Sequence, residues 1–131
     1  MRFIPTRVHG IVDYLLGVFL ILMPWLLGFA RGGAETWLPV VLGLGILGQS
    51  LFTDYEWGLV RRIDMGTHLG LDGAAGAVLA IGPWLFGFDE WVWVPFVVVG
   101  LLEIGLALTT ETLPSDEQAP PTVRRRRPAG A

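Results

Sequence analysis

The sequence predicts an all-α integral membrane protein, a four-helix bundle built from two tandem two-helix repeats in parallel orientation. Three observations carry this prediction. The chain is 53% hydrophobic and only 16% charged, where a soluble domain carries about 25% charge, and its mean hydropathy is +0.58. The charges gather at the N-terminus, in residues 54–64 and after Glu111, leaving four long apolar stretches between them. The first and third of these stretches share His, Asp, Gly, Pro and Trp at one constant offset.

The stretches run over about Val8–Phe29, Trp37–Thr53, Thr67–Phe88 and Trp91–Thr110. As helices they measure ~25–33 Å, close to the ~30 Å hydrocarbon core of a bilayer. Strands are excluded because four of them cannot close a barrel, and an open edge in lipid leaves backbone groups unpaired. The first stretch is longer than the apolar region of a signal peptide, contains Asp13 and is followed by no A-x-A site, so it reads as a retained helix. Short linkers, ARGGAET (Ala30–Thr36) and Asp89–Glu90, make consecutive helices antiparallel neighbours. Asp54–Gly66 mixes Trp57, Leu59, Val60 and Ile63 with Arg61 and Arg62, which predicts a short amphipathic segment in the headgroup layer. The membrane domain thus spans residues 1–113, with repeats over about 8–53 and 67–110, and the polar, proline-rich residues 114–131 are expected to be a disordered tail.

Arginine placement predicts the orientation. Arg2, Arg7, Arg61, Arg62 and Arg124 to Arg127 fall at one set of helix ends and only Arg31 at the other, so both termini and the middle loop are expected on the cytoplasmic side. Trp25, Trp37, Trp84, Trp91 and Trp93 then all reach the outer interface, the depth that indole rings favour.

The repeat is specific. Residues 9–29 overlay 68–88 at an offset of 59 with 9 identities in 21 positions and no gap. His9 meets His68, Asp13 meets Asp72, Gly17 meets Gly76 and Leu20 meets Leu79; Pro24-Trp25-Leu26 meets Pro83-Trp84-Leu85, and Gly28-Phe29 meets Gly87-Phe88. An outer loop three residues shorter then brings Trp37 onto Trp93, Pro39 onto Pro95 and Thr53 onto Thr109. Chance similarity of apolar segments aligns Leu with Val, not His, Asp, Pro and Trp. Because each copy has an even number of helices, both enter the membrane in the same direction, and the pseudo-two-fold axis follows the membrane normal.

The paired motifs MPWLLGF (Met23–Phe29) and GPWLFGF (Gly82–Phe88), each closing an apolar helix that opens with His, Asp and Gly four residues apart, resemble the SPW repeat family. The resemblance covers about residues 8–110 and implies a small bacterial or archaeal membrane protein with two helices per repeat. It implies no particular activity. Met23 and Gly82 stand where the name-giving motif has serine, so no role needing that hydroxyl carries over.

Within the motif, Pro24 and Pro83 lack a backbone N–H and crowd the preceding turn, which predicts a bend or helix end there. Trp25 and Trp84 would anchor the bend at the interface, Gly28 and Gly87 would permit the reversal, and Phe29 and Phe88 complete the motif.

Six polar residues, His9, Asp13, Gln49, His68, Asp72 and Glu103, fall in the cytoplasmic half of the apolar segments. Each ionisable group there costs about 2.5–3.5 kcal/mol on insertion and therefore faces the bundle interior. His9 and Asp13 are four residues apart, on one helix face, as are His68 and Asp72. Three roles fit this pattern: internal glue through His–Asp bonds, helix capping or pairing with Arg7 or Arg62; a proton- or ion-handling site; and a divalent metal site.

With no cysteine, no phosphate-binding loop and no soluble domain, the chain nominates no catalytic residue and no cofactor. It reads as a non-enzymatic accessory subunit or homo-oligomeric element of the cytoplasmic membrane. Its expected partners are the bilayer and either further copies or another membrane protein. The alternatives are a small transporter or channel using the His/Asp cluster, and a metal-dependent membrane enzyme. A net charge of −3 offers nucleic acid no footprint.

Overall fold

The computed structural model describes residues 1–114, 117 and 118. Four helices follow in chain order: α1 (Thr6–Leu26), α2 (Ala34–Phe52), α3 (Met65–Leu85) and α4 (Val94–Thr109). Among the described residues the only extended pairing is two isolated parallel bridges, Ile4 with Thr110 and Thr53 with Ile63. The chain is thus all-helical, with one helix in each predicted stretch. The expected disorder of the tail falls almost wholly outside the described residues.

The prolines do not break their helices. Pro24 and Pro83 lie inside α1 and α3, which each continue for two more residues. The helix ends in a glycine cap. Gly28 and Gly87 adopt φ 72° and 71°, a left-handed conformation that other residues enter at a steric cost. The Phe29 N–H then donates back to the Pro24 carbonyl (2.9 Å), and Phe88 does the same to Pro83 (2.8 Å). In the first copy Gly28 also donates to the Trp25 carbonyl at 3.2 Å, completing a Schellman motif. The motif therefore encodes a helix C-cap that throws a phenylalanine into the core, where Phe29 and Phe88 both pack on the buried Phe96 (ring centroids 5.6 and 4.9 Å).

Helices pack chiefly in the pairs α1/α2 and α3/α4, joined by a smaller α2/α3 contact. Each pair closes on two glycines. A Cβ built on Gly43 would meet the Gly17 carbonyl at 2.6 Å, and one on Gly76 would meet the Gly100 carbonyl at 2.7 Å. No other residue lets these backbones approach so closely. Other glycines of these helices make no such contact: a Cβ on Gly45, Gly48 or Gly70 would meet nothing within 4 Å.

Between the pairs lies an apolar core of Leu16, Leu20, Met23, Phe29, Ile46, Leu79, Phe88, Phe96 and Val99. The outward faces are apolar too: Ile11, Leu15, Val18, Val41, Leu44, Val98, Leu101 and Leu108 are all exposed. By length and composition α1 and α2 suffice to cross a membrane, and α4 is a shorter apolar helix.

The middle loop, where a short amphipathic segment was expected, is not helical. Residues 54–64 form no helix but fold back on the end of α2: Leu59 and Val60 donate to the Leu51 carbonyl (2.8 and 2.9 Å) and Ile63 to that of Phe52 (2.9 Å). The free carbonyls at a helix end outcompete a helix too short to sustain itself. Tyr55 points inward and is fully buried; burial pushes its phenol above the ordinary range. At the loop's end Asp64 caps α3, accepting from the Thr67 N–H (2.9 Å) and hydroxyl (2.6 Å). These bonds hold its carboxyl below its ordinary value.

Candidate functional site

Two threonines set the orientation of the site. Thr53 and Thr110 end α2 and α4 as C-caps. Each hydroxyl has one hydrogen and donates it to the carbonyl one turn back, Thr53 to Gln49 and Thr110 to Leu106, both at 2.7 Å. The hydroxyl oxygens are left as acceptors. His68 Nδ1 lies 2.7 Å from Thr53 Oγ1, and His9 Nδ1 lies 2.8 Å from Thr110 Oγ1. Both imidazoles must therefore carry a proton on Nδ1 and aim Nε2 the other way.

Both Nε2 atoms face the two aspartates, and the partnership is exchanged between helices. His9 Nε2 on α1 lies 3.0 Å from Asp72 Oδ2 on α3; His68 Nε2 on α3 lies 2.7 Å from Asp13 Oδ2 on α1. The contacts within each helix are longer, 3.1 Å for His9–Asp13 and 3.2 Å for His68–Asp72. All four side chains have no solvent exposure, and the imidazole rings meet edge to face at 5.6 Å. Ser50 donates to Asp13 Oδ2 at 3.3 Å, and Gln49 donates through Nε2 to Asp72 Oδ1. Asp13 Oδ1, buried beside His9, accepts no hydrogen bond.

Five of the six polar residues singled out in the sequence, His9, Asp13, Gln49, His68 and Asp72, thus meet in one cluster. Glu103 is the sixth. It is fully buried on the α4 face that packs on Gly76, one turn from Asp72, and neither of its carboxylate oxygens has a hydrogen-bond partner. Pairing of the aspartates with Arg7 or Arg62 does not occur: Arg7 lies over the Trp57 ring at 5.9 Å, and the carboxylates take His, Ser and Gln instead. Thr53, Thr110 and Ser50 went unrecognised in the sequence. The sequence signal was a Thr at each helix end, and the alignment had paired Thr53 with Thr109. The structure pairs it with Thr110, because Thr109 is only half-buried and its hydroxyl bonds to the Gly105 carbonyl and to neither histidine. That one-residue shift puts Gly43 opposite Gly100 and Ile46 opposite Glu103.

The backbone around the site obeys the same exchange. Ile4 donates to Thr109 (3.0 Å) and receives from Glu111 (2.9 Å); at the matching place Ile63 donates to Phe52 (2.9 Å) and receives from Asp54 (2.7 Å). The segment leading into α1 is thereby pinned to the end of α4, and the segment leading into α3 to the end of α2. At the opposite end, the exposed Trp25, Trp37, Trp84, Trp91 and Trp93 flank the two short loops. Trp91 Nε1 donates to the Phe29 carbonyl at 3.0 Å, beneath the Arg31 guanidinium 3.2 Å from the ring centroid.

Neither the curated proteins nor the solved structures provide a match for this chain. The family described as SPW repeat domain matches residues 7–110, which take in the four helices except Thr6 and every residue of the cluster. The chain belongs to the SPW repeat family.

Proposed function

We propose that this chain is a multi-pass protein of a bacterial or archaeal cytoplasmic membrane, a non-enzymatic four-helix element that serves as an accessory subunit or assembles with its own kind. In this reading its two helix pairs are copies of one duplicated unit, latched together by the buried His/Asp cluster. The observation that carries the reading is the exchange itself, in which each histidine spends its closest ion-pair contact on the aspartate of the other half. Such a cluster, sealed from water inside a body whose outer face is apolar, holds two halves together and leaves no mouth for a substrate. The bilayer is the natural solvent for that outer face, and charges at this depth are tolerated only when they pair inside the bundle. Arginine bias and the tryptophan ring favour cytoplasmic termini.

The chain has no cysteine, so single introduced thiols report topology cleanly. Glu90→Cys should react with a membrane-impermeant maleimide in intact cells, and Leu59→Cys only after permeabilisation. The reverse pattern, or labelling of both from outside, would overturn the topology.

A further inference from the structure

Asp13 and Asp72 bring two carboxylates into a volume with no access to water, together with two imidazoles whose Nδ1 protons are already assigned to Thr110 and Thr53. Neutral imidazoles would then point Nε2 lone pairs at carboxylate lone pairs across 2.7–3.2 Å, which is repulsive. Something positive must lie among these atoms. Protons on both Nε2 atoms satisfy the cluster poorly. The single His9 N–H would bond Asp72 Oδ2 at 3.0 Å and leave Asp13 Oδ1, 3.1 Å from the same nitrogen, without a hydrogen bond of its own.

From this arrangement we infer a metal site: His9 Nε2, His68 Nε2 and one oxygen each of Asp13 and Asp72 bind a single divalent first-row transition ion of the zinc or ferrous class. One ion of charge +2 neutralises the two aspartates and takes an electron pair from all four groups at once. The four ligand atoms already lie within 4.8 Å of one another. Ligands around a tetrahedral ion with ~2.0 Å bonds stand about 3.3 Å apart, so the nearest N–O separations need to open by only a few tenths of an ångström. Donation of the far ring N–H to a fixed acceptor is the usual outer support of a metal-bound histidine, and Thr53 and Thr110 provide it on both sides. Two nitrogens and two oxygens suit zinc or ferrous iron better than the softer ions that seek thiolate. Four protein ligands and no exposed position make the site closed, and hence structural. The proposal rests on the latch described above and gives it its cation.

The test uses the full chain purified in detergent, stripped with a chelator and titrated with cobalt(II) and with zinc. We expect one cobalt per chain with the intense visible bands of tetrahedral coordination, displaced by zinc, and no such bands in His9→Gln with His68→Gln. Thr53→Val with Thr110→Val keeps every ligand and should still bind one ion, with affinity lowered about 10–100-fold. Folded wild-type protein that binds no cobalt, or cobalt that persists in the histidine variant, would overturn the metal site.

Unfolding of Asp13→Asn with Asp72→Asn, measured in the same detergent without metal, separates the two ideas. A loss of stability there with no cobalt binding to the wild type leaves a proton-held latch. Cobalt binding to the wild type with unchanged stability of the variant keeps the metal site and removes the latch.

Discussion

Where α2 buries Ile46, α4 buries Glu103, and where α2 carries Gln49 and Ser50, α4 carries Leu106 and Ala107. The first half, α1 with α2, and the second, α3 with α4, otherwise repeat each other at the reciprocal contacts around the cluster: His9 and His68, Asp13 and Asp72, Thr53 and Thr110, Ile4 and Ile63. They also agree at the glycines where backbones meet. Divergence lies in the side chains around this frame, including Gln49, which reaches Asp72 of the other half. One half supplies two neutral donors to the aspartates; the other supplies a carboxyl group with no partner. Reciprocal contacts must match for both to close, whereas the filling around them is free to differ.

The largest test of this division is to remove an aspartate. Asp13→Ala or Asp72→Ala leaves two buried imidazoles sharing one carboxylate and should cost about 3–5 kcal/mol in chemical unfolding. Because the four side chains act as one unit, the double variant should lose well under the sum of the two. Strict additivity would mean two independent pairs and would break the comparison.

Next come the glycines. Gly43→Ala and Gly100→Ala each force a Cβ against a carbonyl or amide of the opposing helix, and each should lose about 1–3 kcal/mol. A much smaller loss in one of them would show that its pair packs less tightly than its twin. Glu103→Ile installs the residue of the matching position and removes a buried carboxyl with no bond to lose. It should raise stability by about 1–3 kcal/mol, seen as a higher thermal midpoint; a fall would mean that Glu103 holds something the other half does not.

The smallest effect is at the helix starts. Asp64 caps α3 with its side chain, whereas Pro5 at the matching place before α1 makes no such bond. The folded value of Asp64 is depressed below 3.8, so its contribution is full above that pH and fades as the pH falls through the lower folded value. Asp64→Asn should flatten the acid limb of the wild-type stability profile in that window and leave the neutral plateau almost unchanged.

Much of this was legible in the sequence. Four apolar stretches gave four helices, and identities in His, Asp, Pro and Trp located the residues that meet. The spacing of His9 and Asp13 put both on one face, but it could not reveal that each histidine would favour the other half's aspartate, because that depends on how two helix pairs dock. The apolar stretches overrun the helix ends because hydropathy continues through Phe29 and Phe88, while the backbone turns at Gly28 and Gly87, the glycines expected to permit the reversal. The middle loop misled because its composition suits a surface helix, and only the presence of free carbonyls on α2 decides otherwise. The pairing of Thr53 with Thr110 needed the full burial of Thr110 and the partial burial of its neighbour, which an alignment of apolar helices does not encode.

His9 is made well before its Thr110 partner, which lies 101 residues further on. At ~5–20 residues per second, α1 waits roughly 5–20 s for that hydroxyl. Until α3 brings Asp72, its one carboxylate companion is its own Asp13, one turn along the same helix at 3.1 Å. The spacing that gives only the longer contact in the finished protein therefore provides an interim partner to the nascent one. The histidine changes allegiance when the second helix pair arrives, and a ribosome halted before Thr110 would leave a chain that holds every helix but cannot close its last hydrogen bond.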